Sequence, residues 1–132
     1  MNKIKKSNDE WKALLDEKTF NITRQSATES PFTGKYLNEK SKGLYNCVCC
    51  GNELFSSNTK FESGTGWPSF FEPIKKDNVT EKIDHSHNMK RIEIICTKCD
   101  AHLGHLFNDG PKPTGLRYCL NSASLIFKKN DE

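Results

Sequence analysis

The apolar positions change period along the chain. Trp11, Leu14 and Leu15 fall at i, i+3 and i+4, and the preceding Ser7-Asn8-Asp9-Glu10 has the Ser-x-x-Glu form of a capping box, so a short helix is expected over about 8–18. A second helical stretch is expected around Thr19–Gln25, with Phe20 turned inward, before Pro31 and Gly34 close the region. Residues 1–34 therefore predict a helical arm covering an edge of the core. From Leu37 onward the signals are those of strands. Val79–Asp84 and Met89–Cys96 predict a hairpin joined by His85-Ser86-His87-Asn88, where Asn88 suits a positive φ. Leu116–Asn121 and Ser124–Phe127 are further β segments. Short strands without alternating helices point to a mainly antiparallel β domain with a helical N-terminus.

Length and composition narrow the class. A chain of 132 residues and 15.1 kDa suffices for one domain, expected over 1–132, with the arm at 1–34 and a β core at 35–128. The mean hydropathy is polar at -0.75, but 8 Phe, 2 Trp and 3 Tyr can fill a core, which excludes general disorder. A net charge of +3, from 20 basic against 17 acidic residues, is small and spread out, so neither a nucleic-acid nor a membrane partner is expected. No apolar run is long enough to cross a bilayer. The basic opening lacks the apolar segment of a secretory signal, and a cytoplasmic location is expected. In that reducing compartment, 6 cysteines are better candidates for metal binding or catalysis than for disulfides.

Four of them form two knuckles, Cys47-x-x-Cys50-Gly51 and Cys96-x-x-Cys99, with residues 51–95 between. Four thiolates favour a tetrahedral structural zinc ion, here expected to staple two distant hairpins. A thioredoxin-like redox pair competes with this reading, but it calls for a βαβ pattern that is not seen. Ligation by Cys96, Cys99, His102 and His105 is cramped and leaves Cys47 and Cys50 without a purpose. Cys49 is expected to be a spectator.

Cys119 belongs to neither knuckle. It lies in Leu116-Arg117-Tyr118-Cys119-Leu120-Asn121, whose alternation puts Leu116, Tyr118 and Leu120 on a core face and Arg117, Cys119 and Asn121 on the other. A neighbouring arginine raises the thiolate fraction of a thiol whose free pKa is about 8.5. Cysteine is also commonly a small buried hydrophobe, so the pattern alone leaves both readings open. His102-Leu103-Gly104-His105 would project two imidazoles from a zinc-fixed turn, suited to moving protons, although histidines that merely hydrogen-bond are the bland reading. In Gly64-Thr65-Gly66-Trp67-Pro68, Pro68 forces Trp67 out of the α region. Its indole can then serve as a pocket wall or fill a core.

Taken together, these segments resemble the B class of methionine sulfoxide reductases, specific for the R epimer. The matching motifs are Pro31-Phe32-Thr33-Gly34, both knuckles, Phe61-Glu62-Ser63-Gly64-Thr65-Gly66-Trp67-Pro68-Ser69-Phe70, His102-Leu103-Gly104-His105-Leu106-Phe107-Asn108-Asp109-Gly110-Pro111, and Arg117-Tyr118-Cys119-Leu120-Asn121, in family order. The resemblance implies two antiparallel β-sheets and a structural zinc on Cys47, Cys50, Cys96 and Cys99. It implies Cys119 as the nucleophile that becomes a sulfenic acid, with His102, His105 and Asn121 positioning the substrate and handling its proton. Trp67, Phe107, Arg117 and Asp109 would form the substrate site. The implied partners are methionine-R-sulfoxide, mainly in proteins, and thioredoxin, glutaredoxin or a small thiol as reductant; a monomer is expected.

Where many members carry a resolving cysteine, this chain has Thr65. A one-cysteine cycle is therefore expected, with the sulfenic acid reduced directly by an external thiol. Asn88, where the family usually has Gly, is a mild replacement. Two other classes stand against the reductase. A zinc-stapled protein- or nucleic-acid-binding module explains the knuckles but neither the Cys119 face nor the histidine pair. A thiol hydrolase would acylate Cys119 and ignore sulfoxide.

Overall fold

The computed structural model describes residues 2–130; Met1 of the expected arm, and positions 131–132 of the expected domain, lie outside the described residues. The capping box forms: Ser7 Oγ accepts from Glu10 N at 3.2 Å, and the Glu10 carboxylate accepts from Ser7 N at 3.0 Å. The helix it opens, α1 (Asn8–Leu14), is shorter than the periodicity predicts. Leu15 is extended, and Asp16 accepts from Thr19 N at 2.7 Å, capping a second helix, α2 (Glu17–Arg24). A cap residue hidden inside an apolar period starts a new helix, because it satisfies the first orphan amides of the next turn. Trp11 and Phe20 enter the core as expected, whereas Leu14 is exposed.

Among the described residues nine strands follow: β1 (Gly43–Cys47), β2 (Glu53–Ser56), β3 (Lys60–Phe61), β4 (Ser69–Phe70), β5 (Val79–Asp84), β6 (Arg91–Cys96), β7 (His102–Phe107), β8 (Arg117–Leu120) and β9 (Leu125–Lys129). They form two antiparallel sheets, in the orders β2-β1-β9 and β3-β4-β8-β7-β6-β5. The expected β5–β6 hairpin is present, and its turn holds His87 as well as Asn88 at positive φ, 58° and 56°. Although β8 and β9 are close in sequence, the 3-10 turn Ser122–Ser124 sends them to different sheets.

Aromatic contacts join the sheets. Phe55 of β2 stacks on Phe70 of β4 with ring centroids 4.7 Å apart, and Tyr45 of β1 meets the same ring edge-on at 5.1 Å. Tyr118 of β8 packs on Phe55 at 5.5 Å. These buried rings provide much of the apolar burial that holds the fold. Tyr118 and Leu120 take the core face of β8, as the alternation predicts, which turns Cys119 to the other side. Among the described residues, no helix is long and apolar enough to cross a membrane.

Candidate functional site

The two knuckles meet. The sulfurs of Cys47, Cys50, Cys96 and Cys99 all lie within 4.8 Å of one another, with Cys47–Cys99 and Cys50–Cys96 both at 3.6 Å. Each knuckle is closed by the same backbone pattern. Gly51 N donates to Cys47 O at 2.8 Å in one, and Asp100 N donates to Cys96 O at 2.8 Å in the other. The closing residue needs a left-handed conformation, supplied by Gly51 at φ 80° and by Asp100 at φ 63°. The arm braces the second knuckle. Arg24, stacked over Trp11 at 4.7 Å, donates to the Cys99 carbonyl at 2.8 Å and reaches its sulfur at 3.8 Å.

A pocket of about 170 Å³ opens over β7 and β8 on the face opposite the aromatic core. Cys119 lines it together with His105, Asn121, Trp67, Phe107 and Arg117. Trp67 is half-buried and donates from its indole Nε1 to the Glu29 carbonyl at 3.0 Å, which fixes the ring plane. The Arg117 guanidinium lies 4.4 Å over the Phe107 ring. Asp109 stands outside the lining and grips Arg117 in a fork, Oδ1 to Nε at 2.9 Å and Oδ2 to Nη2 at 3.2 Å. That bond holds the Asp109 carboxyl below its ordinary value.

Burial pushes the Cys119 thiol above its ordinary pKa, against the pull of the Arg117 charge and of the Arg117 and Thr65 side chains. Arginine thus acts in the direction the sequence suggests, but desolvation outweighs it.

His102 and His105 are three apart in one strand and would ordinarily face opposite ways. The β6–β7 register, however, pairs Ile94 with Gly104 and Ile95 with His102, leaving Leu103 as an extra residue. This bulge turns both imidazoles to one side, where their rings meet edge-on at 5.4 Å. Only His105 lines the pocket; His102 lies buried behind it. Each ring is held by a carboxylate from the β5–β6 hairpin. Asp84 Oδ2 is 2.8 Å from His105 Nε2, and Glu93 Oε2 is 2.6 Å from His102 Nδ1. Burial depresses the His102 pKa despite Glu93. The Ser86 backbone amide, followed by His105, holds the Asp84 carboxyl well below the usual range.

Three carboxylates around the site carry no local chemical motif in the sequence: Asp84, Glu93 and Glu29. Glu29 is 5% exposed, and its carboxylate accepts from the amides of Ser122 at 2.6 Å and Ala123 at 3.3 Å. Its own amide donates to Asn121 Oδ1 at 3.1 Å, and Asn121 Nδ2 donates to Leu103 O at 3.3 Å. One loop residue therefore ties Trp67, Asn121 and the turn after β8 together. The only sequence signal for it was its place just before Pro31-Phe32-Thr33-Gly34.

A four-thiol cluster on two antiparallel hairpins, with a separate half-buried thiol beside an imidazole–carboxylate pair, defines a β-fold thiol protein whose four clustered cysteines could hold a metal ion. Comparison with known proteins is specific: residues 15–129 match the SelR domain family, and the chain belongs to it. It is 56% identical over 131 residues to the peptide methionine sulfoxide reductase MsrB of Hahella chejuensis, covering 99% of this chain and 94% of that protein. The protein of the same name from Methanosarcina mazei is 54% identical over 131 residues, with 99% and 94% covered. In fold alone, the crystal structure of the Mis18 'Yippee-like' domain is similar, with a TM-score of 0.55 at 16% identity over 69% of this chain and 99% of that one.

Proposed function

We propose that this protein reduces methionine-R-sulfoxide, chiefly in oxidised proteins and peptides, to methionine, with Cys119 as the nucleophile. The observation that carries the reading is the convergence of Cys119, His105 and Trp67 on one pocket. At about 170 Å³ it is smaller than a drug-sized site of roughly 300–1,000 Å³, so it admits one long side chain. Trp67 and Phe107 offer apolar faces to the S-methyl end, and Arg117, held by Asp109, shapes the polar side.

Cys119 sulfur attacks the sulfoxide sulfur while His105, its cross-strand partner, carries the proton to the sulfoxide oxygen. His102 supports the His105 ring from behind, and Asn121 orients the substrate. The substrate S–O bond breaks and an S–O bond to Cys119 forms. The substrate sulfur gains two electrons, the cysteine sulfur loses them, and the former thiol proton ends on the sulfenic oxygen. A first external thiol then forms a mixed disulfide with Cys119 and releases water. A second thiol frees Cys119 and leaves as the reductant's disulfide. Thioredoxin, glutaredoxin or a small thiol fits this role, because Thr65 cannot resolve the sulfenic acid.

Cys47, Cys50, Cys96 and Cys99 hold one structural zinc ion in this reading. A tetrahedron with Zn–S bonds of about 2.3 Å separates the sulfurs by about 3.8 Å. The two 3.6 Å separations support that assignment. A thiolate cluster and a cycling thiol both need a reducing compartment, so we place the protein in the cytoplasm as a monomeric single domain.

The test is dithiothreitol-driven reduction of a peptide carrying each sulfoxide epimer, by the wild type and Cys119→Ser. Turnover of the R epimer alone, lost in the variant, is expected. A folded, zinc-loaded wild type that reduces neither epimer would overturn the reading in favour of a binding module.

A further inference from the structure

The loop that lacks a resolving cysteine carries a chain of hydroxyls leading to the reactive sulfur. Ser69 is the register partner of Cys119 on β4 and is 1% exposed. Its Oγ donates to Ser63 Oγ at 2.8 Å, and Ser63 Oγ lies 2.8 Å from Thr65 Oγ1. Ser63 Oγ also accepts the Thr65 backbone amide at 3.3 Å. Thr65 lines the same pocket as Cys119, and its side chain is among the groups that pull the Cys119 thiol pKa down.

The direction of the chain follows from proton counting. Each hydroxyl has one proton to give and two lone pairs to accept with. Ser63 Oγ already receives the Ser69 hydroxyl and the Thr65 amide, so its own proton goes to Thr65 Oγ1. The Thr65 proton is then left to point at Cys119. The Ser69 proton has one other acceptor, the Trp67 carbonyl at 3.1 Å, but the Ser63 contact is shorter.

We propose that Thr65 is a catalytic residue, whose hydroxyl, at the end of the Ser69–Ser63–Thr65 chain, donates to the Cys119 sulfur and stabilises it as the attacking thiolate. The inference rests on the reading of Cys119 as the nucleophile and deepens it. A hydrogen bond to a charged group is stronger than one to its neutral form, so the bond favours the reactive species. It opposes the desolvation that burial imposes on the thiol. The side chain that cannot resolve the sulfenic acid thus has its own task, one step earlier in the cycle. Gly64 and Gly66 on either side adopt φ 74° and 93°, which fixes the tight loop presenting Thr65 to the sulfur.

The experiment is the pH dependence of Cys119 alkylation by iodoacetamide in the zinc-loaded full chain, with the alkylated cysteine identified by mass spectrometry. Thr65→Val keeps the shape and removes the hydroxyl; Thr65→Ser keeps the hydroxyl. Thr65→Val is expected to raise the alkylation midpoint by about one pH unit, making alkylation near pH 7 about tenfold slower. Thr65→Ser should stay within about twofold of the wild type, and Ser63→Ala should fall between the two. Thr65→Ala serves as a second hydroxyl deletion if the valine variant folds poorly. An unshifted midpoint in folded Thr65→Val or Thr65→Ala overturns the proposal, and so does an equal shift in Thr65→Ser. Alkylation needs no sulfoxide, so loss of the reductase reading would show separately, as absence of turnover in the wild type.

Discussion

His105 and Cys119 are register partners on adjacent strands, so the imidazole and the thiol share one face of the sheet at the pocket floor. Directly paired residues on antiparallel strands have Cβ atoms about 4.5–5.5 Å apart. This pairing depends on a close approach of the two backbones beside it. A Cβ on Gly104 would fall 1.9 Å from the Cys119 carbonyl oxygen.

Gly104→Ala is therefore expected to destabilise the fold as well as the site. The clashing atom is backbone and cannot rotate away. Overpacking of this kind costs about 1–3 kcal/mol or more. A urea unfolding curve with the wild-type midpoint and slope would contradict the close approach.

Asp84→Asn should impair turnover more than folding. Asp84 accepts from His105 Nε2 and so leaves Nδ1 as the free nitrogen; an amide no longer imposes that tautomer. A positioned acid–base group contributes about 10²–10⁴-fold, and losing its orientation should cost about 10- to 100-fold in kcat/KM. Zinc content should stay at the wild-type level. Steady-state kinetics on the R epimer with unchanged kcat/KM would refute the role.

Stability should fall between neutral and mildly acid pH, through His102. Burial lowers its folded-state pKa below the ordinary imidazole value of 6.5. The unfolded chain therefore takes up the proton first as pH drops. The His102 contribution is complete above about 6.5 and is lost as pH falls from there through the lower folded value. Urea midpoints measured from pH 7.5 to 5 should decline, and the decline should be shallower in His102→Gln. Asp84 acts in a separate, more acidic window, below the ordinary aspartate value of 3.8, because its folded pKa is also depressed.

Removal of zinc should abolish the cooperative thermal transition. The two knuckles are distant in sequence, and structural zinc contributes about 10–16 kcal/mol of binding free energy in small zinc-finger peptides. Circular dichroism melts after chelation, and of Cys96→Ser, should both lose the sharp transition. A chelated protein that melts like the holo form would show that the sheets hold the site together unaided.

Much of this was legible in the sequence because each signal was local. The capping box, the knuckle spacing and the alternation around Cys119 depend on residues a few positions apart, and all three appear as expected. The second helix start was harder, since Asp16 sat inside an apolar period and only its bond to Thr19 N reveals it as a cap. The carboxylates were not legible. Asp84 and Glu93 look like ordinary charges on a hairpin until the sheet order places them beside His105 and His102.

The sequence by itself determined which residues could do chemistry: four paired thiols, one unpaired thiol on an alternating strand, and two histidines beside a glycine. Side-chain type and short-range spacing are enough for that, because they are covalent properties of the chain. The tertiary structure decided how those residues share the work. The bulge at Leu103 turns both imidazoles to one side and leaves only His105 in the pocket. Packing buries Cys119 deeply enough to raise its pKa against Arg117. Glu29, from a loop far away in sequence, ties down Trp67 and Asn121. Register, burial and long-range hydrogen bonds arise only when distant segments meet, which is why no local pattern announced them.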